Sequence, residues 1–163
     1  TLHTLTSANT TPFGFAVGKN GNIFVSEAAG GAPGASTLSS YHIDYSGVIS
    51  LIEGPVGANQ SAACWVVITN NGKYAYTTNT ASNNVSTFKV NTSSGSINIS
   101  DPISATTGMG PIDAALSNNS KYLYVLNPGS NSIDAFVVGK DGGVTSLQTV
   151  TGFTGPGVGM AVK

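Results

Sequence analysis

Six side chains have types and settings that chemistry uses, yet none has beside it in sequence the partner such chemistry needs. Glu27 closes the run Ile23-Phe-Val-Ser-Glu27 just before a long small-residue loop, Ala28 to Ser36, where a carboxylate can act as a general base. Counted from the preceding turn, it matches Thr78 and Leu126 in later segments. Cys64 opens an apolar run. A thiol becomes a nucleophile when a neighbouring base lowers its pKa, and otherwise packs as a small hydrophobe; the second role is the one expected, since no His falls at an equivalent strand end. Trp65 offers a ring for stacking a sugar or other ring ligand, with packing between sheets as its structural role. Asp113 follows Pro111-Ile112; an Asp at the opening of a strand bonds nearby backbone amides. Asn79 and Asn127 each end a Tyr-containing run, where an amide ties down the following turn and ligand contact is the second role. His3 and His42 form no HxH or HExxH pair, and Cys64 is the lone cysteine, so neither a disulfide, nor a multi-cysteine metal site, nor a cofactor is expected.

The elements holding these residues recur. Cys64-Trp-Val-Val-Ile68 reads as a buried strand, Asn71-Gly72 as a hairpin turn whose two residues both tolerate positive φ, and Tyr74 and Tyr76 as alternate positions of a returning strand. The same unit appears as Phe15 to Gly21 with Ile23-Phe-Val25, and as Ala114 to Ser120 with Tyr122-Leu-Tyr-Val125. Gly21, Gly72 and Ser120 share one position, so the spacings are 72 − 21 = 51 and 120 − 72 = 48 residues. Two further short strands follow each hairpin: Thr37 to Asp44 and Val48 to Glu53; Val85 to Val90 and a strand that Ile97 to Ile99 begins; Ile133 to Val138 and Val144 to Val150. Repeats of such length built from four short strands predict an all-β fold, a partial β-propeller of about three four-stranded antiparallel blades. The blades fall near 12–54, 63–105 and 111–152. A leading strand, Leu2 to Thr6, and a trailing one, 157–163, are expected to match the outer strand of a preceding blade and the inner strand of a next one. Three blades cannot close a ring, so the terminal blades should present apolar faces. Those faces call for the missing remainder of a propeller, the first choice, or for another copy of the chain.

Composition narrows the partners. Charged residues make up 8% of the 163, and all six cations are Lys, with no Arg to clamp a carboxylate or phosphate. A net charge of −1 without a Lys cluster excludes nucleic acid, and no apolar run is long enough to span a membrane. A polar surface built from Asn, Ser, Thr and Gly fits a secreted, extracellular protein. Glycosylation sequons occur at Asn9, Asn59, Asn84, Asn91, Asn98 and Asn118.

Ala63-Cys-Trp-Val-Val-Ile-Thr-Asn-Asn-Gly-Lys-Tyr-Ala-Tyr-Thr-Thr-Asn-Thr80 and Pro111-Ile-Asp-Ala-Ala-Leu-Ser-Asn-Asn-Ser-Lys-Tyr-Leu-Tyr-Val-Leu-Asn127 resemble the YVTN-type, lactonase-like seven-bladed propellers. Pro12-Phe-Gly-Phe-Ala-Val17 fits the same pattern. The resemblance implies a relative roughly twice this length, with this chain at its C-terminal end. It also implies a central channel in which lactone-acting members place Arg, His and Glu. The Arg-His pair of such members falls here on Cys64 and Trp65. Their Asn-Glu pair falls on Asn79-Thr80, Asn127-Pro128 and Ala28-Ala29, without its acid. Two functions follow as expectations: a non-catalytic secreted binding or structural module, with a glycan or cell-surface ligand as its partner, and, as the alternative, a lactone hydrolase or cyclase with its site in the channel.

Overall fold

The computed structural model describes residues 2–153 and 157–162. Among them, twelve strands form three antiparallel sheets, each a simple four-stranded meander. Sheet one holds β1 (Pro12–Val17), β2 (Ile23–Glu27), β3 (Thr37–Ile43) and β4 (Ile49–Gly57). Sheet two holds β5 (Ala63–Ile68), β6 (Tyr74–Asn79), β7 (Asn84–Val90) and β8 (Ile97–Thr106). Sheet three holds β9 (Asp113–Leu116), β10 (Tyr122–Asn127), β11 (Ser132–Val138) and β12 (Val144–Thr151). These are the three expected blades. Their inner strands stand side by side, β1 against β5 and β5 against β9, so they form an arc.

Each inner hairpin turns through one left-handed residue. Gly72 sits at φ 71° with its N–H on the Thr69 carbonyl at 2.7 Å, and Ser120 sits at φ 54° with the equivalent bond to Ser117. Asn71 does not share the positive φ expected of it. It works through its side chain instead, accepting from Lys73 N at 2.9 Å, as Asn119 does from Lys121 N at 3.0 Å.

The blades stack through two apolar layers. Phe24 and Leu38 of the first sheet meet Val66, Ala75 and Phe88 of the second; Tyr76 and Val85 of the second meet Leu123, Val125 and Phe136 of the third. Ladder register makes the two layers copies of each other: Phe24 corresponds to Tyr76, Leu38 to Val85, and Phe88 to Phe136. Period-2 alternation thus buries both faces of the middle sheet. The outward face of blade 1 is bare by comparison, with Phe13, Phe15 and Val17 all more than half exposed.

The structure corrects both flanking strands. Leu2 to Thr6 is extended without a ladder partner and largely exposed. Residues 157–162 occupy the place of a next inner strand, with Gly157 against Leu126, but Met160 N donates to the Asp113 carboxylate rather than to a strand carbonyl. Without a paired edge neither segment becomes a strand; Lys163 lies outside the described residues. The outer strand β4 runs further than expected, to Gly57, and β8, expected to begin at Ile97, runs to Thr106. Pro55 and Pro102 do not stop them, because an outermost strand has a free edge on which a missing N–H costs no ladder bond.

Two junctions generate predictions. At Gly14 the inner strands approach so closely that a Cβ would stand 2.6 Å from the Cys64 carbonyl oxygen, a backbone atom that cannot swing aside. Gly14→Ala is expected to cost about 1–3 kcal/mol, read as a lower Tm. Gly57→Ala, which meets nothing within 4 Å, should leave Tm unchanged; equal melting of the two variants would refute the close approach. At the second junction the buried Tyr76 hydroxyl donates to the Gly142 carbonyl at 3.0 Å. Burial, reinforced by Tyr74 and Asp141, pushes this phenol well above its ordinary value. A folded-state value above the unfolded one gives stability that is intact below about pH 10 and is lost as pH rises beyond it. Thermal melts should therefore fall steeply above about pH 10, and Tyr76→Phe, though weaker at neutral pH, should flatten that limb.

Candidate functional site

The hydrogen-bond ladders realign the sequence candidates. The first inner hairpin pairs Val17 with Ile23 across five residues (18–22), whereas the other two pair Ile68 with Ala75 and Leu116 with Leu123 across six (69–74, 117–122). One residue is therefore missing after Gly21. A one-residue shift moves every later side chain of β2 to the opposite face. Glu27 consequently corresponds to Asn79 and Asn127, not to Thr78 and Leu126, and the pair that ends the second strand of blade 1 is Glu27-Ala28 rather than Ala28-Ala29.

These three residues make the same interaction in each blade. The last residue of the second strand is fully buried and reaches across to the first and third residues of the third strand. In blade 1, Thr37 Oγ1 and Ser39 Oγ donate to Glu27 Oε2 at 2.6 and 2.8 Å. In blade 2, Asn79 Nδ2 donates to Asn84 Oδ1 at 2.9 Å and to Ser86 Oγ at 2.8 Å. In blade 3, Asn127 Nδ2 donates to Ser132 Oγ at 3.3 Å and to Asp134 Oδ2 at 2.9 Å. The acid has changed strands: Glu27 faces Ser39 in blade 1, and Asn127 faces Asp134 in blade 3.

Glu27 gathers the most donors. Its Oε1 accepts from Ser7 Oγ at 2.8 Å, Asn9 N at 3.0 Å and Tyr41 Oη at 3.3 Å. Together with Thr37 and Ser39 this makes five donors on one carboxylate that exposes none of its surface. Its lone pairs are committed to protein donors, and it does not reach solvent. Ser7, Asn9, Ser39 and Tyr41 were not among the sequence candidates; once the shorter turn is allowed for, the polar residues repeating at Ser39, Ser86 and Asp134 would have marked the cluster.

The remaining candidates lie on the inner strands. Cys64 and Trp65 are adjacent on β5, where the ladder skips from Ala63 to Val66. Cys64 is half-buried and its carbonyl accepts Ser26 Oγ at 2.7 Å, a tie between blades 1 and 2. No histidine bonds its thiol among the described residues; His42 donates instead from Nδ1 to Asn22 at 3.3 Å. Trp65 N donates to Thr78 Oγ1 at 3.0 Å, the counterpart of Gly14 N on Ser26 Oγ, and 36% of the residue is exposed. Asp113 matches Gly14 and Trp65 as read from the sequence. It is buried, and its carboxylate accepts Ala114 N at 2.7 Å and Met160 N at 2.6 Å. Only Cys64 and Trp65 are brought together; Glu27, Asn79 and Asn127 stand one per blade.

Charge is segregated along the strands. Lys19, Lys73 and Lys121 lie in or beside the inner turns, and Lys89 and Lys140 lie at the β7–β8 and β11–β12 turns. All five are at the opposite end of the blades from Glu27, Asn79 and Asn127. Of the sequons, Asn84 is buried in β7 with its amide on Gln60 Oε1, whereas Asn59, Asn91, Asn98 and Asn118 are exposed.

Among solved structures, the chain is similar to a candidate 6-phosphogluconolactonase from Bacteroides fragilis, with a TM-score of 0.72 and 21% identity over 86% of this chain and 39% of that one. It is similar to the periplasmic gluconolactonase PpgL of Pseudomonas aeruginosa, with a TM-score of 0.70 and 18% identity over 89% of this chain and 44% of that one. A functionally unknown protein from Desulfotomaculum acetoxidans gives 0.71 and 18% over 85% and 41%. The chain thus spans about two-fifths of the length of these structures, and the likeness is one of fold. No curated protein matches the chain. The family model described as lactonase, 7-bladed beta-propeller matches residues 15–159, and the chain belongs to that family.

Proposed function

We propose that these three blades are an arc of a lactonase-type propeller, supplying its frame and part of its channel wall, and that lactone ring-opening is carried by groups on further blades. The observation behind this reading is the set of five donors, three from blade 1 and two from the segment before it, that occupies the Glu27 carboxylate. Asp113 is likewise engaged by two backbone amides. Glu27, with all its lone pairs in use, has no free position for a water or a lactone carbonyl, while Asp113 has two of its roughly four acceptor positions taken. Family membership and the two gluconolactonase-named structures favour a sugar-acid lactone as the substrate class of the whole ring. The bare face of blade 1 repeats the face that blades 2 and 3 use toward their preceding blade, which favours further blades of the same propeller as its cover. The low-charge surface and the periplasmic neighbour favour a location outside the cytoplasm. Trp65 adds a second role, a ring on the inner strand against which a sugar or lactone stacks.

Two measurements separate frame from catalyst. The 163-residue chain, assayed with gluconolactone, is expected to show only the hydrolysis seen in buffer. Turnover that Glu27→Gln removes would overturn the reading. In thermal unfolding, Glu27→Gln should cost no more than about 1 kcal/mol, because an amide can donate to Thr37 and Ser39 as Asn79 does to Ser86, whereas Glu27→Ala should cost about 3 kcal/mol by stranding several buried donors. Equal stability of the two variants would count against the frame role.

A further inference from the structure

The repeat is broken at one position of blade 3, and a cleft opens there. In blades 1 and 2 the third residue of the third strand is a serine covered by outer-strand backbone. A Cβ on Gly54 would lie 2.4 Å from Ser39 Oγ, and Ser86 Oγ donates to the Pro102 carbonyl at 2.8 Å. Both contacts are made where β4 and β8 bulge beside a proline. The corresponding residue of blade 3 is Asp134, and β12 contains no proline. Thr149 Oγ1 reaches Asp134 Oδ1 at 2.6 Å in place of the backbone. Gly108 N, on the connection from blade 2, donates to Oδ2 at 2.8 Å beside the bond from Asn127. Asp134 is thus 6% exposed at the floor of a cleft of about 400 Å³ between blades 2 and 3. Ser130, Ser132, Ser146 and Thr149 contribute hydroxyls to its walls, and Phe136 lies at its back.

We propose that this cleft binds a small neutral polyhydroxy compound, a free sugar or polyol. Its volume falls within the range of small-molecule pockets. Ser146 makes no side-chain hydrogen bond among the described residues and can both donate and accept, while Ser130, Ser132 and Thr149, tied to Met109, Asn127, Asp134 and one another, keep acceptor positions for a polyol's hydroxyls. The Asp134 carboxylate spends three of its roughly four acceptor positions on protein donors and keeps one for a ligand hydroxyl. No lysine lines the cleft, so an anionic sugar acid would face a carboxylate without a counter-charge. The donors already aimed at Asp134 would also oppose a metal ion at the same oxygens. The cleft opens between outer strands, away from the arc of inner strands, so it stands independently of the lactone reading.

The test is ligand-observed NMR and calorimetry on the 163-residue chain with methyl glucoside and sorbitol as neutral probes and gluconate as the charged one. Neutral probes are expected to bind in the millimolar range, with gluconate at least about tenfold weaker. Asp134→Asn should weaken the neutral probes by about tenfold. Because that change also touches the Asn127 tie, a second variant, Ser146→Trp, places bulk at the exposed mouth and should abolish binding with Tm unchanged. Absence of binding by the unaltered chain, gluconate binding as tightly as sorbitol, or full binding by a folded Ser146→Trp protein would each overturn the proposal.

Discussion

A polar side chain at the end of an inner hairpin that solvent does not reach must find its partners within the protein. In all three blades the final residue of the second strand bridges to the first and third residues of the next strand; Glu27 is saturated by donors, whereas Asn79 and Asn127 bond through Nδ2 and leave Oδ1 buried without a partner. The bridge fixes where β2, β6 and β10 end and how the following loop leaves. Around it the apolar layers repeat residue for residue, so the polar tie and the hydrophobic stack select the same register. Where the two agree, as in blade 2, both faces of the sheet are buried. Where no further blade is present, the tie persists: Glu27 draws in Ser7 and Asn9 from a segment that belongs to no strand.

Much of the architecture was legible in the sequence because strand and turn signals coincide. The β-branched run at 66–68, the glycine at 72 and the alternating tyrosines at 74 and 76 each favour the same hairpin. What escaped was the consequence of one residue. The turn after Val17 is shorter by one, and a reading anchored on Gly21 places Glu27 in the wrong column, so it looked like an isolated carboxylate. In its true column it is a variant of Asn79 and Asn127. Asp134 escaped for the same reason, since its oddity is visible only beside Ser39 and Ser86. The first outer strand, expected to stop at Glu53, continues past Pro55, because sequence cannot say that a strand lies at an edge. The two flanking segments failed as strands because alternation supplies a pattern but not a neighbour to pair with.

For function, the same tie separates what the family brings from what these residues do. Membership in the lactonase propellers describes the fold that carries a channel. In these blades Glu27 and Asp113 are held by amides and hydroxyls, and the described lysines sit at the far turns. The cleft beneath Asp134 lies outside that logic, arising where one blade exchanges a serine and a proline bulge for a carboxylate and a threonine.

The claim most exposed to test is that Glu27 is a structural anchor reaching beyond its own sheet. Its signature is the backbone amide of Asn9, which lies outside every strand yet donates to the Glu27 carboxylate. Amide hydrogen exchange should find Asn9 as protected as a strand amide such as Val25, while Leu5 nearby exchanges freely. Asn9 exchanging as fast as Leu5 would mean that the carboxylate is not held as described, and the anchoring role would fail with it.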